Sequence, residues 1–380
     1  MRFRAACCFI VTVVVPVMAQ QRARDLGVPF DGTPGNLNAI TDVAGIEVGH
    51  TTLIEGDSVR TGVTVIWPRG KRSDDPTFGG WFSMNGNGEM TGTTWLEESG
   101  FLEGAVFITN THSVGVVRDA SIAWQVEHKR NLTTNSMGDD FWSLPVVAET
   151  WDGFLNDING FHVKPAHVFQ AMDGAASGRV AEGNVGGGTG MVCFGFKGGI
   201  GTSSRVAGDY RVAALVQCNC GRKPQLRIAG APVGQELAAT TTASIAPRED
   251  TGSIIIVVAT DAPLLPTQLK RLARRAALGL ARLGATSGNG SGDIFIAFST
   301  ANGNAAKPSG GAATVSMLPN DSLNPIFEAT VQATEEAIVN ALVAARDMTG
   351  VKGHKVTALP HDGLQRVLKK YNRLLVAEGH

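Results

Sequence analysis

The 380-residue chain lacks the short motifs that identify most hydrolases and nucleotide-binding proteins. It contains no H-E-x-x-H zinc motif, no G-x-S-x-G nucleophile elbow and no phosphate-binding loop ending in G-K-[ST]. The glycine-rich bend at 184–190 also lacks the G-x-G-x-x-G spacing of a dinucleotide site. Its eight histidines are scattered singly, so each is interpreted as structural. Local motifs therefore support neither a zinc hydrolase nor a Ser–His–Asp triad.

The chain also has no marked excess of charge of either sign, and it has few long hydrophobic runs. The 33 basic and 34 acidic residues give a formal net charge of −1, and no basic run offers a surface to nucleic acid. The one marked apolar run lies at 5–17, after Arg2 and Arg4 and before a small-residue cleavage site at Ala19. Residues 1–19 are therefore predicted to be a signal peptide, which implies a periplasmic or secreted protein that leaves the membrane once the peptide is removed. The alternative is a retained membrane anchor.

Cysteine is scarce, with five residues in the chain, of which Cys7 and Cys8 lie in the predicted signal peptide. The remaining Cys193, Cys218 and Cys220 are odd in number and lack the spacing of a metal site. Cys218 and Cys220 alternate along a predicted strand, so they are expected to pack rather than to pair. The protein is then expected to depend on its core, for which 43% hydrophobic residues suffice.

The remaining sequence predicts strands and turns followed by alternating strands and helices. Strands with turns are expected at 40–50, 62–68, 101–109, 210–219, 253–259 and 294–298, and helices at 117–129, 162–172, 263–283 and 325–345. The segment 146–153 would place Glu149 and Trp151 on one face if it is extended. Residues 20–37 are interpreted as a polar surface arm, 83–95 as a loop and 221–251 as an exposed loop. This order indicates sheets covered by helices, with no linker that divides residues 20–380.

The junction between Gly252 and Ser253 is the first candidate for chemistry. An apolar, β-branched strand begins at Ser253, directly after the polar loop and the glycine. If the chain is cut before Ser253, this residue carries both a hydroxyl and an α-amine, and the amine can act as the base for the hydroxyl near neutral pH. The alternative is a loop serine that caps a core strand.

Ser291 and Asp293 form the second candidate. They are two residues apart at the entrance to a strand, so both side chains can point the same way. A carboxylate beside a hydroxyl can hold it as a directed proton donor. The alternative is an ordinary turn in which the aspartate binds the backbone.

These residues and several others resemble a family of self-processing aminopeptidases, which includes the L-aminopeptidase/D-amidase-esterases and the bacterial β-aminopeptidases. The resemblance extends through most of the chain that follows the predicted signal peptide. It rests on I-T-D-V at 40–43, V-G-H at 48–50, N-T-H-S-V-G at 110–115, V-A-E-T-W-D-G at 147–153, V-Q-C-N at 216–219, G-S at 252–253, A-T-D-A-P at 259–263 and G-N-G-S-G-D at 288–293.

The resemblance implies an αββα four-layer sandwich of the α/β class, similar to the N-terminal-nucleophile hydrolases. It implies self-cleavage between Gly252 and Ser253, so that residues 20–380 form one catalytic domain divided into a large chain, 20–252, and a small chain, 253–380. Ser253 is then the nucleophile, Ser291 and Asp293 are its helpers, and Asn219 binds the oxyanion. The expected activity is release of L-, D- or β-amino acyl residues from the N-termini of small peptides, amides and esters.

The resemblance further assigns Glu149 and Trp151 to substrate binding, with Glu149 pairing with the substrate ammonium group. It implies no metal or organic cofactor and a homo-oligomer of two-chain protomers. Two positions depart from the family pattern, since the L/D-specific members have tyrosine at the position of Trp151 and some members have glutamate at that of Asp293. The alternatives are an acyltransferase similar to the ornithine acetyltransferases, which use a threonine nucleophile, and a non-catalytic binding protein with the same fold.

Overall fold

A computed structural model describes residues 20–129, 141–238, 252–306 and 311–375. The predicted signal peptide lies outside the described residues. The strands are β1 Glu47–Glu55, β2 Val59–Trp67, β3 Thr77–Gly86, β4 Phe101–Leu102, β5 Val106–Asn110, β6 Val146–Thr150, β7 Val192–Cys193, β8 Phe196–Lys197, β9 Gly199–Ala207, β10 Tyr210–Asn219, β11 Ser253–Thr260, β12 Gly292–Ser299, β13 Met348–Thr349 and β14 Lys355–Val356. The helices are α1 Thr93–Ser99, α2 Val114–Glu127, α3 Pro165–Asp173, α4 Val233–Ala238, α5 Pro266–Arg282, α6 Asn324–Ala344 and α7 His361–Lys370.

Two mixed sheets form the centre of the molecule. The four-stranded sheet has the order β1-β2-β5-β6, and the six-stranded sheet has the order β4-β3-β12-β11-β10-β9. The β5–β6 and β11–β12 pairs are parallel, while the other neighbours within these two sheets are antiparallel. Strands β11 and β12 therefore lie in the middle of the larger sheet.

Three apolar cores separate four layers. One core lies between the two sheets, a second between the larger sheet and helices α5 and α6, and a third between the smaller sheet and helices α2 and α3. Strand β11 contributes to two of them, because Ile255 and Val257 face the other sheet while Ile254 and Ile256 face the helices. The continuous apolar run at the start of β11 is thus that of a strand buried on both faces, and the predicted αββα sandwich is confirmed.

Predicted elements with strong periodicity agree with the structure. Strand β10 matches the prediction of 210–219, and the two long amphipathic helices correspond to α5 and α6. Two predicted loops are wrong in part. Strand β3 and helix α1 both extend into 83–95, and helix α4 lies within 221–251, where Val233 and Leu237 are buried. These elements were missed because contacts with distant parts of the chain stabilise them, such as the pairing of β3 with β12. Residues 239–251 lie outside the described residues.

The N-terminal segment is not a surface arm. Ala23, Leu26 and Val28 are buried in the core that contains α6. Arg24 forms an ion pair of 2.8 Å with Glu336, a buried residue of α6 that also pairs with Arg205 of β9. The polar composition was misleading because paired arginines fix the segment to the helix while its apolar residues face inward.

The expectation that Cys218 and Cys220 pack rather than pair is wrong for Cys218. Cys193 of β7 and Cys218 of β10 form a disulfide bond, although 25 residues separate them in the sequence. Cys220 is buried outside this disulfide, and its sulfur lies 3.9 Å from that of Cys218. Among the described helices, none is long and apolar enough to cross a membrane.

Candidate active site

Ser253 lies at one end of the central strands of the larger sheet, where β10 ends and β11 and β12 begin. It is the first residue of β11, directly opposite Asn219, the last residue of the antiparallel strand β10. On its other side the parallel strand β12 begins, with Asp293 paired to Ile254. The Ser253 side chain is buried, and its Oγ accepts a hydrogen bond of 3.0 Å from the backbone N–H of Gly292. Pairing of the strands thus places the predicted nucleophile between Asn219 and Asp293.

Gly252 is tightly enclosed by the end of β10. An ideal Cβ at this position would lie 2.2 Å from the carbonyl oxygen of Asn219 and 2.8 Å from Cα of Cys220. Both contacts are with backbone atoms, which cannot rotate away. Glycine is therefore required here by the close approach of two backbone segments.

Ser291 and Asp293 are in direct contact, as their spacing predicted. Ser291 Oγ donates a hydrogen bond of 2.6 Å to Asp293 Oδ1, and the same oxygen accepts a bond of 3.1 Å from the N–H of Ile254. Both side chains are buried. The carboxylate therefore links the Ser291 hydroxyl to the backbone one residue after Ser253, and it fixes the direction in which that hydroxyl points.

The side-chain amide of Asn219 is held at both ends. Its Oδ1 accepts a hydrogen bond of 2.8 Å from the N–H of Val192, and its Nδ2 donates a bond of 2.9 Å to the carbonyl oxygen of Trp151. A backbone N–H can only donate and a carbonyl can only accept, so these two partners determine which end of the amide is nitrogen.

Glu149, at the end of β6, brings a carboxylate from the smaller sheet. Its Oε1 accepts a bond of 3.0 Å from the N–H of Glu89, and its Oε2 accepts one from the Thr111 hydroxyl. Burial raises the pKa of the Glu149 carboxyl, and these two hydrogen bonds oppose the increase. An ideal Cβ on Gly88 would lie 3.3 Å from Glu149 Oε1 and 3.0 Å from Cα of Gly292, so this carboxylate is next to the backbone that contacts Ser253.

Trp151 follows the last residue of β6 and differs from Glu149 in its environment. Its side chain is 41% exposed, whereas Glu149 is 3% exposed. The indole covers Gly153, where an ideal Cβ would lie 2.6 Å from Trp151 Cε2. Trp151 reaches the site through its backbone carbonyl, which binds Asn219.

Asp152 is a buried acid that sequence reasoning missed. Its carboxyl lies beside Thr61, Asn110 and Asn156, and Oδ1 accepts a bond of 3.1 Å from Asn156 Nδ2. Burial raises the pKa of Asp152 from 3.8 to about 6.

The raised pKa of Asp152 makes the stability of the folded protein depend on pH. The folded carboxyl keeps its proton to a higher pH than the unfolded one, so the stabilisation by the neutral form is complete below about pH 4 and is lost between about pH 4 and 6. The two pKa values differ by about two, and one pH unit corresponds to about 1.4 kcal/mol. The buried charge of Asp152 therefore lowers the free energy of unfolding by roughly 3 kcal/mol above pH 6.

The structure brings Ser253, Ser291, Asp293 and Asn219 together, with Glu149 beside them. Sequence reasoning missed the groups that orient them, which are Thr111 and the backbone N–H groups of Glu89, Gly292 and Val192. The threonine lies within the N-T-H-S-V-G motif, which therefore carried a signal, whereas backbone donors leave none in the sequence.

One group within the described ranges has the geometry of metal ligands, namely the sulfurs of Cys193, Cys218 and Cys220, which lie within 4.8 Å of one another. Two of the three are joined in the disulfide and so cannot act as thiolate ligands.

Comparisons with known proteins show the family of this chain. A model of peptidase family S58 matches residues 38–356, which include every residue of the candidate site. The β-peptidyl aminopeptidase BapA of Sphingosinicella microcystinivorans is 56% identical over 382 aligned positions, which cover 94% of this chain and 94% of that protein.

Solved structures are similar over almost the full length. The L-aminopeptidase D-Ala-esterase/amidase of Ochrobactrum anthropi has 47% identity and a TM-score of 0.84, and the match covers 93% of this chain and 99% of that one. A β-aminopeptidase of a Burkholderia species has 49% identity and a TM-score of 0.83, with 92% and 99% covered. The structure from O. anthropi is described as a variant of the Ntn hydrolase fold, which confirms the predicted relation to the N-terminal-nucleophile hydrolases.

Proposed function

Since this chain belongs to peptidase family S58 and is a serine-type aminopeptidase, we propose that it cuts itself before Ser253 and then uses this serine to release N-terminal residues, including β-amino acids, from small peptides and amides. The observation that carries the proposal is the position of the Ser253 hydroxyl. It accepts a hydrogen bond from Gly292, and the Ser291–Asp293 pair lies beside it. Relatives named for β-aminopeptidase activity support the β-amino acyl substrates.

Self-cleavage would begin with attack of Ser253 Oγ on the carbonyl carbon of Gly252. A carbon–oxygen bond forms, the carbon–nitrogen bond breaks, and the proton of the hydroxyl moves to the departing nitrogen, which becomes the α-amine of Ser253. Water then hydrolyses the ester and leaves a carboxylate on Gly252. The tight enclosure of Gly252 supports this step because it holds the carbonyl next to its attacker.

Peptide hydrolysis would use the freed α-amine as the base. The pKa of an α-amino group is ordinarily about 7.7–8.0, so near neutral pH it can accept the proton of the Ser253 hydroxyl as that hydroxyl attacks the substrate. The second N–H of the Asn219 amide donates to the oxyanion, a type of contact whose removal costs roughly 3–4 kcal/mol in other enzymes. Ser291, oriented by Asp293, passes a proton to the leaving amine, and water releases the acyl group from Ser253.

Glu149 would select substrates with a free N-terminus. Its carboxylate is buried, already holds two hydrogen bonds and lies next to the backbone at Gly292. A substrate ammonium group can pair with it while the adjacent carbonyl reaches Ser253. Peptides with a blocked N-terminus lack this charge and would bind poorly.

The sheet order supports the proposal that chains 20–252 and 253–380 stay together as one catalytic domain after the cut. The proposed small chain supplies β11 and β12, and the proposed large chain supplies β10 and β3 on either side of them. The small chain is thus hydrogen-bonded along both edges of its strand pair. Separation of the chains would expose the apolar side chains of β11 on both faces.

Intact mass and N-terminal sequencing of the purified protein test the self-cleavage. Two chains are expected, the smaller beginning at Ser253, and Ser253→Ala is expected to give one inactive chain. Ser316→Ala, at an exposed serine, is the control and should be cut normally. Cleavage of the Ser253→Ala chain after Gly252 would disprove the assignment of the nucleophile.

Amino-acyl p-nitroanilides of β-alanine, L-alanine and D-alanine test the substrate class. The expected order of kcat/KM places the β-alanine compound first, and an N-acetylated compound should not be hydrolysed. Equal turnover of blocked and free substrates would exclude an aminopeptidase mechanism.

We also propose that residues 1–19 direct the protein to the periplasm or the medium and that two-chain protomers form a homo-oligomer. The charged and apolar regions of the leader support the first part of this proposal. Cell fractionation of the full chain tests the location, and light scattering of the purified protein tests the oligomer. A cytoplasmic protein that retains residues 1–19, or a particle with the mass of one protomer, would contradict the corresponding part.

A further inference from the structure

We infer that the Cys193–Cys218 disulfide is a positioning device for the amide of Asn219, an inference that rests on the proposed oxyanion role of that residue. The disulfide and the hydrogen bond that orients the amide are adjacent. Cys193 follows Val192, whose N–H binds Asn219 Oδ1, and Cys218 precedes Asn219. The covalent link and the hydrogen bond therefore connect the same two segments, one residue apart.

The segment that carries Val192 is short and lies outside the two large sheets. Strands β7 and β8 have two residues each and pair only with each other in a small hairpin. The turn between them consists of Phe194 and Gly195, both with positive φ, as in a tight two-residue hairpin. A two-stranded hairpin is marginally stable alone, so its position depends on its contacts with the rest of the fold. Phe194 and Phe196 are buried in the core, Lys197 N–H donates to the carbonyl of Thr357, and the side that carries Val192 is attached to β10.

Contacts with the end of β10 fix this hairpin, and the disulfide is the covalent one among them. Phe194 N–H donates a bond of 2.6 Å to the carbonyl oxygen of Cys220. An ideal Cβ on Gly198 would lie 2.3 Å from the carbonyl oxygen of Cys218 and 2.8 Å from Cβ of Cys193. The backbones are therefore packed as closely as glycine allows, and the Cys193–Cys218 bond keeps them so.

The orientation of the Asn219 amide depends on this attachment. While the N–H of Val192 faces the amide oxygen, the NH₂ group is directed to the other side, where it binds Trp151 and is available to an oxyanion. If the hairpin moves away, the amide loses the donor at its oxygen end and is held by the bond to Trp151 alone. Its plane is then less well fixed, so the remaining N–H is directed less accurately at the developing negative charge.

Substitution of Cys193 is the direct test, and Cys220 provides a matched control. Both cysteines are buried, but only Cys193 belongs to the disulfide. In Cys193→Ser, kcat for an amino-acyl p-nitroanilide should fall at least tenfold, as expected for impaired oxyanion binding. KM should stay within about twofold, since Glu149 is untouched. In Cys220→Ser both parameters should stay within about twofold of the wild type.

Thiol counting tests the premise. When iodoacetamide labels on the unfolded protein are located by mass mapping, Cys193 and Cys218 should be labelled only after reduction, whereas Cys220 should be labelled without it. Labels on Cys193 and Cys218 without reductant would overturn the inference. So would an unchanged kcat in Cys193→Ser, equal losses in both variants, or a rise in KM that matches the fall in kcat.

Reduction of the processed wild-type protein provides a second test if Cys193→Ser does not fold. A water-soluble phosphine supplies two electrons to the disulfide, which gains two protons to give two thiols, while the phosphine takes up oxygen from water. The fall in kcat should follow the number of thiols formed and should reverse on reoxidation in air. Full activity with Cys193 and Cys218 both reduced would refute the inference. A wild-type protein that hydrolyses no amino-acyl substrate would instead refute the proposed function.

Discussion

Replacement of Gly252 by alanine should slow self-cleavage by a factor that the local packing determines. The added Cβ would lie 2.2 Å from Asn219 O, 2.8 Å from Cys220 Cα and 3.0 Å from Asn219 C. Relief of these contacts requires the two backbones to separate by about 1 Å, since carbon contacts are most favourable near 3.5–4.0 Å. The φ of Gly252 lies outside the left-handed region, so the penalty is steric and not conformational.

The steric cost can be converted to a rate. Overpacking of a closely packed site costs about 1–3 kcal/mol, and each 1.4 kcal/mol corresponds to about tenfold. Displacement of a reacting carbonyl by about 1 Å can itself cost about a hundredfold. Self-cleavage of Gly252→Ala should therefore be about ten to a hundred times slower than that of the wild type.

A time course on denaturing gels measures this rate, with intact mass used to locate the cut. Gly115→Ala is the matched control, because Gly115 lies in helix α2 and an ideal Cβ there would meet nothing within 4 Å. The control should be cut at the wild-type rate. Cleavage of Gly252→Ala before Ser253 at the wild-type rate would refute the argument that close packing of Gly252 positions the scissile carbonyl.

Three further predictions concern the groups around the nucleophile. Ser291→Ala should fold but lose about 10²–10⁴-fold in kcat, measured with an amino-acyl p-nitroanilide, and undiminished turnover would reduce this residue to a turn former. Glu149→Gln should lower kcat/KM for substrates with a free amine by at least about thirtyfold, as expected for loss of one partner of a buried charge pair. The ratio of kcat/KM for free to N-acetylated substrates should therefore fall. An unchanged ratio would exclude Glu149 as the amine site. Asp152→Asn, in the uncut Ser253→Ala background, should raise the free energy of unfolding in urea at pH 8 by up to about 3 kcal/mol and remove the contribution of this carboxyl to the pH dependence between 4 and 6. The exposed Asp119→Asn is the control, and an unaltered pH profile in Asp152→Asn would contradict the raised pKa of Asp152.

The layers of the fold could be predicted because they are encoded in local patterns. The apolar, β-branched residues of β11 indicate a strand buried on both faces, and the three- and four-residue spacing in α5 indicates a helix with one apolar face. The sheet order could not be predicted from such patterns. Strand β12 pairs with β3, about two hundred residues earlier, and only the packing of the whole chain determines that choice.

The candidate site could also be predicted only in part. The two-residue spacing of Ser291 and Asp293 predicted their contact, because side chains alternate along an extended chain. The contacts of Asn219 with Val192 and Trp151 involve backbone groups, which every residue possesses, so no residue type could reveal them. The disulfide was missed for a related reason, since three cysteines do not specify a pairing.

The meeting of three strands explains how one cut can create an active enzyme without rebuilding its site. Strand β10 ends where β11 and β12 begin, so Asn219, Ser253 and Asp293 are already neighbours in the uncut chain. Because β11 is paired on both sides, loss of the bond to Gly252 leaves its position in the sheet unchanged. Under the proposed mechanism the precursor lacks two things. It has no base, since an amide nitrogen does not accept a proton near neutral pH, and Gly252 still occupies space in the site. The cut supplies both, and it converts a preformed arrangement of hydroxyls, amide and carboxylates into a working one.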